Sequence, residues 1–290
     1  MATQTATTGQ LENAQNIAIA KARFTMEHSM PCVNLVEKMT LQQGQKQITV
    51  PKVGQMTASD LVDGVDIVDT EDIGMTTKDL TTGEVGLKVI LTEKLIRQEN
   101  ESVFAMVGTQ MGDAMARKKN SGVIALFSAL NGATVLGADG KTLSLTNLSA
   151  CIAWAKGNKL PSPIAVVHHP YAIYGVVTSS SLTPSTTYPL STGWSADLLK
   201  DFFKYTINGV SVFEDGNIAV EAGVDSGIGA IFSKAAMVVV DSQGFRTEQD
   251  KDISLRAFEV VVTADYGCFE LDDSYGAGMQ YEMGAPATNN

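Results

Sequence analysis

The sequence predicts an α+β fold, and three observations support this prediction. Residues 94–131 carry the apolar spacing of one long helix, residues 245–281 carry the alternation of several strands, and about 35 residues with little apolar periodicity separate two earlier strands. The apolar stripe of the helix must be covered, and the strands near the end of the chain can cover it. We therefore expect residues 145–240 to form an insertion between two halves of one discontinuous domain.

The composition restricts the class of protein. With 290 residues, of which 44% are apolar and 18% charged, the chain can form one large domain or two modest ones. The net charge of −11 argues against a protein whose main task is gripping nucleic acid, because such proteins need a basic surface. No apolar run approaches the roughly 20 residues that span a bilayer, and no signal or transit peptide is expected. Three distant cysteines favour reduced thiols.

The first third of the chain predicts an arm and a projection. Residues 1–20 are small and polar, which indicates a mobile arm. Gln47–Val50 and Gly86–Leu91 have the pattern of strands. The stretch between them is too long for a loop inside a compact domain. We expect it to form an extended hairpin that projects from the body and packs on a neighbouring chain.

The long helix is the clearest single element. Its stripe has three- and four-residue steps and comprises Val103, Val107, Met111, Ala114, Met115, Lys118, Gly122, Leu126 and Phe127. Asn131-Gly132 is expected to end it. If it runs from Glu99, its length is about 50 Å, which is typical of a structural spine.

Shorter elements are predicted in the middle and at the end of the chain. Helices are expected over 148–156 (capped by Thr146 or Asn147), 171–177 and 196–205 (capped by Ser195), with an exposed loop over 178–194. Strands are expected over 164–167, 210–214 and 230–240, followed by antiparallel strands over 246–248, 253–262, 266–271 and 276–281.

Four segments, taken in order, resemble a known family. Leu87–Ile96 leading into 97–130 looks like an extended loop returning into a spine helix, and Ile164–Pro170 looks like a strand followed by a proline that opens a helix. Asn208–Phe213, and Ala230–Phe232 with Arg246, Arg256 and Tyr266-Gly267, resemble later strands of the same family. Over residues 25–280 the chain is similar to major capsid proteins of tailed bacteriophages, which have the Hong Kong 97-like fold.

The resemblance implies a domain organisation. It comprises an N-terminal arm (1–44), an extended β-hairpin loop (45–90), a discontinuous peripheral domain with the spine helix and a β-sheet (91–140 and 242–290), and an axial domain (141–241).

The resemblance also implies a function and partners. The chain would self-assemble into hexamers and pentamers of an icosahedral head that encloses double-stranded DNA through non-specific contact. Further implied partners are a portal protein, a separate scaffolding protein and a cement or decoration protein, with no membrane. The location would be the virion, and the host cytoplasm during assembly. The alternative is an encapsulin-like nanocompartment shell. A β-rich adhesin or tail-tube protein fits less well, because the long helix is foreign to tubes built of sheet.

No enzyme, metal site or cofactor is predicted, because the candidate motifs fail on spacing. Gly140–Thr142 resembles the end of a phosphate-binding loop, but Val135 stands where that loop needs a glycine, so a turn is expected. The adjacent His168 and His169 would point to opposite faces of a strand and chelate poorly. The acidic residues within 63–72 are spaced by three, whereas calcium loops use alternate positions.

Two sets of basic residues are candidates for a role in a shell. Arg117, Lys118 and Lys119 on the long helix form either a solvated face or a patch that faces the lumen and softens repulsion toward packaged DNA. Some relatives crosslink their shells through a Lys–Asn isopeptide bond. Lys78 and Lys88 lie in the projecting segment, but the sequence identifies no partner for them.

Overall fold

The fold contains two main sheets and a separate hairpin. The computed structural model describes residues 31–52, 60, 74–92, 101–179, 203–221 and 225–286. Its helices are α1 (Pro31–Leu35), α2 (Glu101–Ile124), α3 (Leu145–Gly157) and α4 (Pro170–Ser179). Its strands are β1 (Glu37–Thr40), β2 (Gln47–Lys52), β3 (Thr76–Thr81), β4 (Gly83–Thr92), β5 (Leu136–Gly137), β6 (Ile164–His168), β7 (Phe203–Ile207), β8 (Val210–Glu214), β9 (Ser226–Ser233), β10 (Met237–Asp252), β11 (Ala257–Glu270) and β12 (Gly276–Glu282).

The first sheet has the strand order β1-β10-β11-β4, with β1 parallel to β10 and the other pairs antiparallel. Helix α2 covers one face of it. Met111 and Met115 of the helix are buried against Val262, Ala264 and Tyr266 of β11. The expectation that strands near the end of the chain cover the apolar stripe of the long helix is therefore confirmed.

The second sheet has the order β5-β12-β9-β6-β8-β7 and carries the largest core. Phe127 packs on Phe232 with ring centroids 5.6 Å apart, and both side chains are fully buried. Strand β12 pairs with β9, so residues 276–282 join a sheet built from the middle of the chain. The division into peripheral and axial domains stays a prediction.

The end predicted for the long helix is wrong. Helix α2 ends at Ile124 and has 24 residues, about 36 Å. Beyond it the backbone tightens, because Leu126 N donates to Val123 O and Phe127 N donates to Ile124 O in three-residue steps. These turns still bring Phe127 into the core. The apolar spacing in the sequence therefore extends beyond the end of the α-helix.

Three predicted boundaries in the middle of the chain also need correction. Helix α3 is capped by Ser144, whose hydroxyl accepts a hydrogen bond from Asn147 N, and not by residue 146 or 147. The strand predicted over 230–240 is interrupted by a 3-10 helix, Lys234–Ala236. The prediction of a helix over 196–205 is wrong for residues 203–205, because they belong to strand β7. Residues 196–202 lie outside the described part of the chain.

The strands of the projecting segment pair differently from the prediction. Strand β2 pairs with β3, which the sequence did not reveal, and β4 pairs with β11 over its whole length. Leu80 of β3 is fully buried with Val238 and Val240 of the same chain. The expectation that the stretch between residues 50 and 86 packs on a neighbouring chain is therefore wrong for β3, which packs on its own subunit. Residues 53–59 and 61–73 lie outside the described residues.

The three cysteines are unpaired, in line with the reduced thiols that the sequence favours. Cys32 and Cys151 are buried, Cys268 is partly buried, and all three are free thiols. Among the described helices, none is long and apolar enough to cross a membrane.

Candidate assembly surfaces

The tip of the β10–β11 hairpin presents apolar side chains to solvent. The two strands are paired as far as Asp252 and Ala257, and the turn between them exposes 81% of Ile253 and 49% of Leu255. Large apolar side chains this exposed are candidates for contact with another surface. The predicted strand over 253–262 is thus wrong in its first four residues, which form this turn.

The turn is held by one carboxylate. Asp252 Oδ1 accepts hydrogen bonds from Ser254 N at 2.8 Å, Ser254 Oγ at 2.6 Å and Leu255 N at 3.1 Å. These bonds, chiefly that from the Ser254 hydroxyl, lower the pKa of Asp252. Ile253 and Leu255 are therefore presented from a fixed turn, so little conformational entropy is lost when they are covered.

The stem below the tip is also exposed along β10. Residues 242–251 are exposed or partly exposed, and β1 pairs only with residues 238–241. Charges of both signs lie along the stem, with Arg246 Nη2 2.7 Å from Glu248 Oε1 and Lys251 Nζ 5.5 Å from the Phe258 ring centroid. Among the described residues, no strand pairs with the outer edge of residues 242–251, and an edge strand of this length offers backbone groups that another chain can engage.

The β2–β3 hairpin is attached to the body by an ion pair as well as by Leu80. Lys52 Nζ lies 2.7 Å from Asp272 Oδ1. Partial burial raises the pKa of Asp272, but hydrogen bonds from Lys52 and Ser274 outweigh that effect and the net pKa is lowered. The base of the hairpin is therefore fixed, and its remaining described surface, including Met75, is exposed.

The two lysines considered for crosslinking have different surroundings. Lys78 lies on the exposed strand β3. Lys88 of β4 is ion-paired with Glu259 of β11 at 2.6 Å, within the first sheet. Lys88 therefore takes part in holding this chain's own strands together.

The three basic residues of α2 do not share one exposed face. Lys118, expected on the buried stripe, is exposed, and Arg117 is partly buried. Lys119 lies one turn beyond Met115 on the buried side, and its Nζ is 2.5 Å from Asp241 Oδ1. The positive charge of Lys119 is thus engaged within the subunit.

The histidines have structural partners. His168 is fully buried, its Nε2 lies 3.2 Å from Met279 O, and its Nδ1 accepts a hydrogen bond from His169 N at 2.9 Å. Burial lowers the pKa of His168 to about 4. His169 Nδ1 accepts a hydrogen bond from Tyr171 N. Within the described ranges, no group of three or more His, Cys, Asp or Glu side chains is placed to hold a metal ion.

A buried carboxylate network was missed by the sequence analysis. Asp215, after β8, accepts hydrogen bonds from Cys32 Sγ at 3.1 Å, from Asn120 Nδ2 at 2.5 Å, and from both Asn217 N and Asn217 Nδ2 at 2.8 Å. Burial, followed by the negative charge of Asp215, raises the pKa of Cys32. The network joins α1, α2 and the second sheet, and no local pattern could reveal partners so distant in sequence.

A turn is found near the predicted position, over residues 138–141, where Lys141 N donates a hydrogen bond to Ala138 O. Gly140 has a φ of +66°, and its N–H donates to Ser226 Oγ at 3.1 Å. Lys141 O accepts a hydrogen bond from Glu282 N at 2.9 Å, so the turn is tied to the end of β12.

Comparison with known proteins links this architecture to viral shells. The family model described as phage capsid protein matches residues 75–277. The capsid of cyanophage P-SCSP1u is similar with 15% identity, 97% of this chain and 93% of that chain covered, and a TM-score of 0.65. The structure from Mycobacterium phage Che8 is similar with 15% identity and a TM-score of 0.64, and the match covers 96% of this chain and 93% of that chain. The capsid of cyanophage Pam1 is similar with 10% identity and a TM-score of 0.66, and the match covers 99% of this chain and 100% of that chain. No curated protein matches significantly.

Proposed function

Because this chain belongs to the phage capsid protein family, we propose that it assembles into hexamers and pentamers of an icosahedral head that encloses double-stranded DNA. The chain is a tailed-phage major capsid protein, and the Hong Kong 97-like α+β fold expected from its sequence is confirmed. Its role is that of a shell subunit in the virion. The arrangement of copies and the contents of the shell are the proposed part.

The projecting β10–β11 hairpin is the observation that carries the proposal. Its turn holds Ile253 and Leu255 in solvent at the end of a stem that is paired without interruption from Arg246 to Asp252. Permanent assemblies bury about 2,000–5,000 Å² or more per interface, and projecting elements supply such area. A rigid apolar tip with an exposed stem therefore suits contact with neighbouring copies of the same chain.

Charge supports enclosure of DNA without tight binding. The chain has a net charge of −11, so the subunit as a whole repels phosphates. We propose that Lys118, together with Arg117, faces the lumen and locally reduces that repulsion. Lys119 contributes less to such a patch, since Asp241 neutralises it.

The proposal extends to partners implied by the family resemblance. Assembly takes place in the host cytoplasm with a separate scaffolding protein, and the head includes a portal protein and a cement or decoration protein. Copies of this chain bind one another directly, whereas DNA is held by non-specific contact.

Electron microscopy of particles tests this function. The full chain, expressed with and without the other head genes of its phage, is expected to form closed shells in which five- and six-copy capsomers can be resolved. Particles from infected cells should protect double-stranded DNA from nuclease. A monomer that persists at high concentration in both expression conditions would contradict the proposal, and co-purification of one cargo enzyme without DNA would favour the encapsulin-like alternative.

A further inference from the structure

Strand β10 loses its regular pairing with β11 where it leaves the body of the subunit. Met237–Val240 are buried, whereas the strand is exposed beyond Asp241. Its register with β11 shifts twice between Asp241 and Arg246. The ladder between β11 and β4 has no such shift from Ala257 to Tyr266. The extra residues therefore lie on β10 alone, and bulges of this kind bend and twist the strand that carries them.

An ion pair lies at this point of the strand. Lys119 Nζ is 2.5 Å from Asp241 Oδ1, with 12% of the Lys119 side chain and 32% of the Asp241 side chain exposed. The same Nζ is 5.3 Å from the ring centroid of Tyr266, which is paired with Asp241 in the ladder. Asp241 O also accepts a hydrogen bond from Leu41 N at 2.8 Å, where β1 ends. Asp241 thus joins α2, β1 and β10.

Helix α2 also packs on the hairpin stem through apolar side chains. Met111 and Met115 precede Lys119 at steps of four residues and pack on Val262 and Ala264. Apolar contact has no preferred direction, so it defines an angle less sharply than a hydrogen bond does. A short charge-assisted hydrogen bond has a defined direction, so the contact at Asp241 is suited to fix an angle.

We propose that Lys119 is a positioning residue for assembly: its ion pair with Asp241 fixes the angle at which the β10–β11 hairpin leaves the body. This inference rests on the proposed function, because the hairpin tip is there a contact between copies. A small change in the angle between neighbours is repeated at every contact of a closed symmetric shell. The ion pair therefore controls the uniformity of shell diameter.

Substitution of Lys119 tests the inference. Lys119→Met removes the charge and keeps a long apolar side chain, and Lys234→Met, at an exposed lysine outside α2, is the matched control. Full-length variants are produced in the conditions in which the wild type forms particles, and diameters are measured by electron microscopy. For Lys119→Met the fraction of particles with the wild-type diameter should fall about twofold or more. For Lys234→Met it should not change.

Two further variants separate positioning from folding. Asp241→Asn removes the opposite charge at constant size and should broaden the diameters as Lys119→Met does, while Lys119→Arg keeps the charge and should preserve them. Thermal unfolding of each variant shows whether it folds. Wild-type diameters for a folded Lys119→Met or Asp241→Asn protein would overturn the inference. So would failure of both to fold, since the pair would then be needed for folding itself. If the wild type forms no particles, it is the proposed function that fails.

Discussion

Lys52 and Asp272, which are 220 positions apart in the sequence, form an ion pair of 2.7 Å between the β2–β3 hairpin and the 3-10 helix Asp273–Tyr275. Asp272 also accepts hydrogen bonds from Ser274 N and Ser274 Oγ, so one carboxylate caps that helix and holds the hairpin. Together with buried Leu80, the pair fixes the base of the hairpin on the subunit's own sheet. The part of segment 45–90 left for neighbouring copies is therefore smaller than the sequence predicts.

Removal of this ion pair should loosen the hairpin while leaving the fold intact. Because Lys52 is half exposed, Lys52→Met should lower the free energy of unfolding by no more than about 1 kcal/mol. Amide hydrogen exchange in β2 and β3 should nevertheless increase. Lys46→Met, on an exposed residue just before β2, is the control. Unchanged exchange in Lys52→Met would show that Leu80 and its neighbours hold the hairpin alone.

The same contact should depend on pH. The pKa of Asp272 is lowered in the folded state, so its contribution to stability is present above the pKa of an unfolded aspartate and is lost as pH falls through the folded value. The difference in unfolding free energy between the wild type and Asp272→Asn should therefore shrink below about pH 4. Urea unfolding at several pH values measures it. A difference that grows as the pH falls would contradict the assignment.

The tip of the β10–β11 hairpin should be needed for assembly and not for folding. Ile253→Asp places a charge on a side chain that is 81% exposed, so the unfolding free energy should change by only about 0.5 kcal/mol or less. Assembly should be blocked or strongly reduced, because the charge would be buried between copies. Size-exclusion chromatography with light scattering separates subunits from shells. Ile253→Leu should assemble normally, and normal assembly of Ile253→Asp would exclude the tip as a contact.

Asp215 should be among the residues most important for stability. Asp215→Ala leaves the buried Asn120 amide and Cys32 thiol without their acceptor, which should cost about 3–5 kcal/mol. Asp250→Ala, on an exposed part of β10, is the control and should change stability little. Denaturant unfolding provides the measurement. A loss below that of the control would mean that the network is not formed in solution.

Replacing Gly112 or Gly122 of the long helix by alanine should affect stability differently, because the surroundings of the two glycines differ. A Cβ at Gly112 would meet nothing within 4 Å, so Gly112→Ala should stabilise the protein by about 0.5–1 kcal/mol. A Cβ at Gly122 would lie 3.1 Å from Cys268 Sγ, and Gly122→Ala should gain less or lose stability. Thermal unfolding of the two variants gives the comparison. Equal gains would show that β11 can move away from the helix.

Local patterns predicted the elements whose own residues carry the signal. The four-residue steps of Met111 and Met115 identified the buried face of α2, and the apolar run of β6 identified a buried strand. Strand β3 was missed because Thr76–Thr81 contains a single large apolar residue, Leu80, and so has no alternation. Its strand character comes from pairing with β2, which is visible only in three dimensions.

The candidate surfaces were less predictable than the fold for the same reason. Lys119 was expected to lie in a basic patch, but its role depends on Asp241, more than one hundred residues later in the sequence. The network around Asp215 joins residues from three separate regions. Exposure of Ile253 depends on where β10 stops, and the apolar run that continues into β11 hides that point in the sequence.

The unbroken ladder between β4 and β11 has a mechanical consequence. It joins the strands through consecutive pairs from Ala257 and Thr92 to Tyr266 and Gly83. A force on the hairpin along the strand direction acts on all the hydrogen bonds between β4 and β11 at once. A force perpendicular to the strands would break these bonds one after another. Tension passing from subunit to subunit, as when a filled container swells, is therefore shared across the whole strand and passed on to the helix behind it.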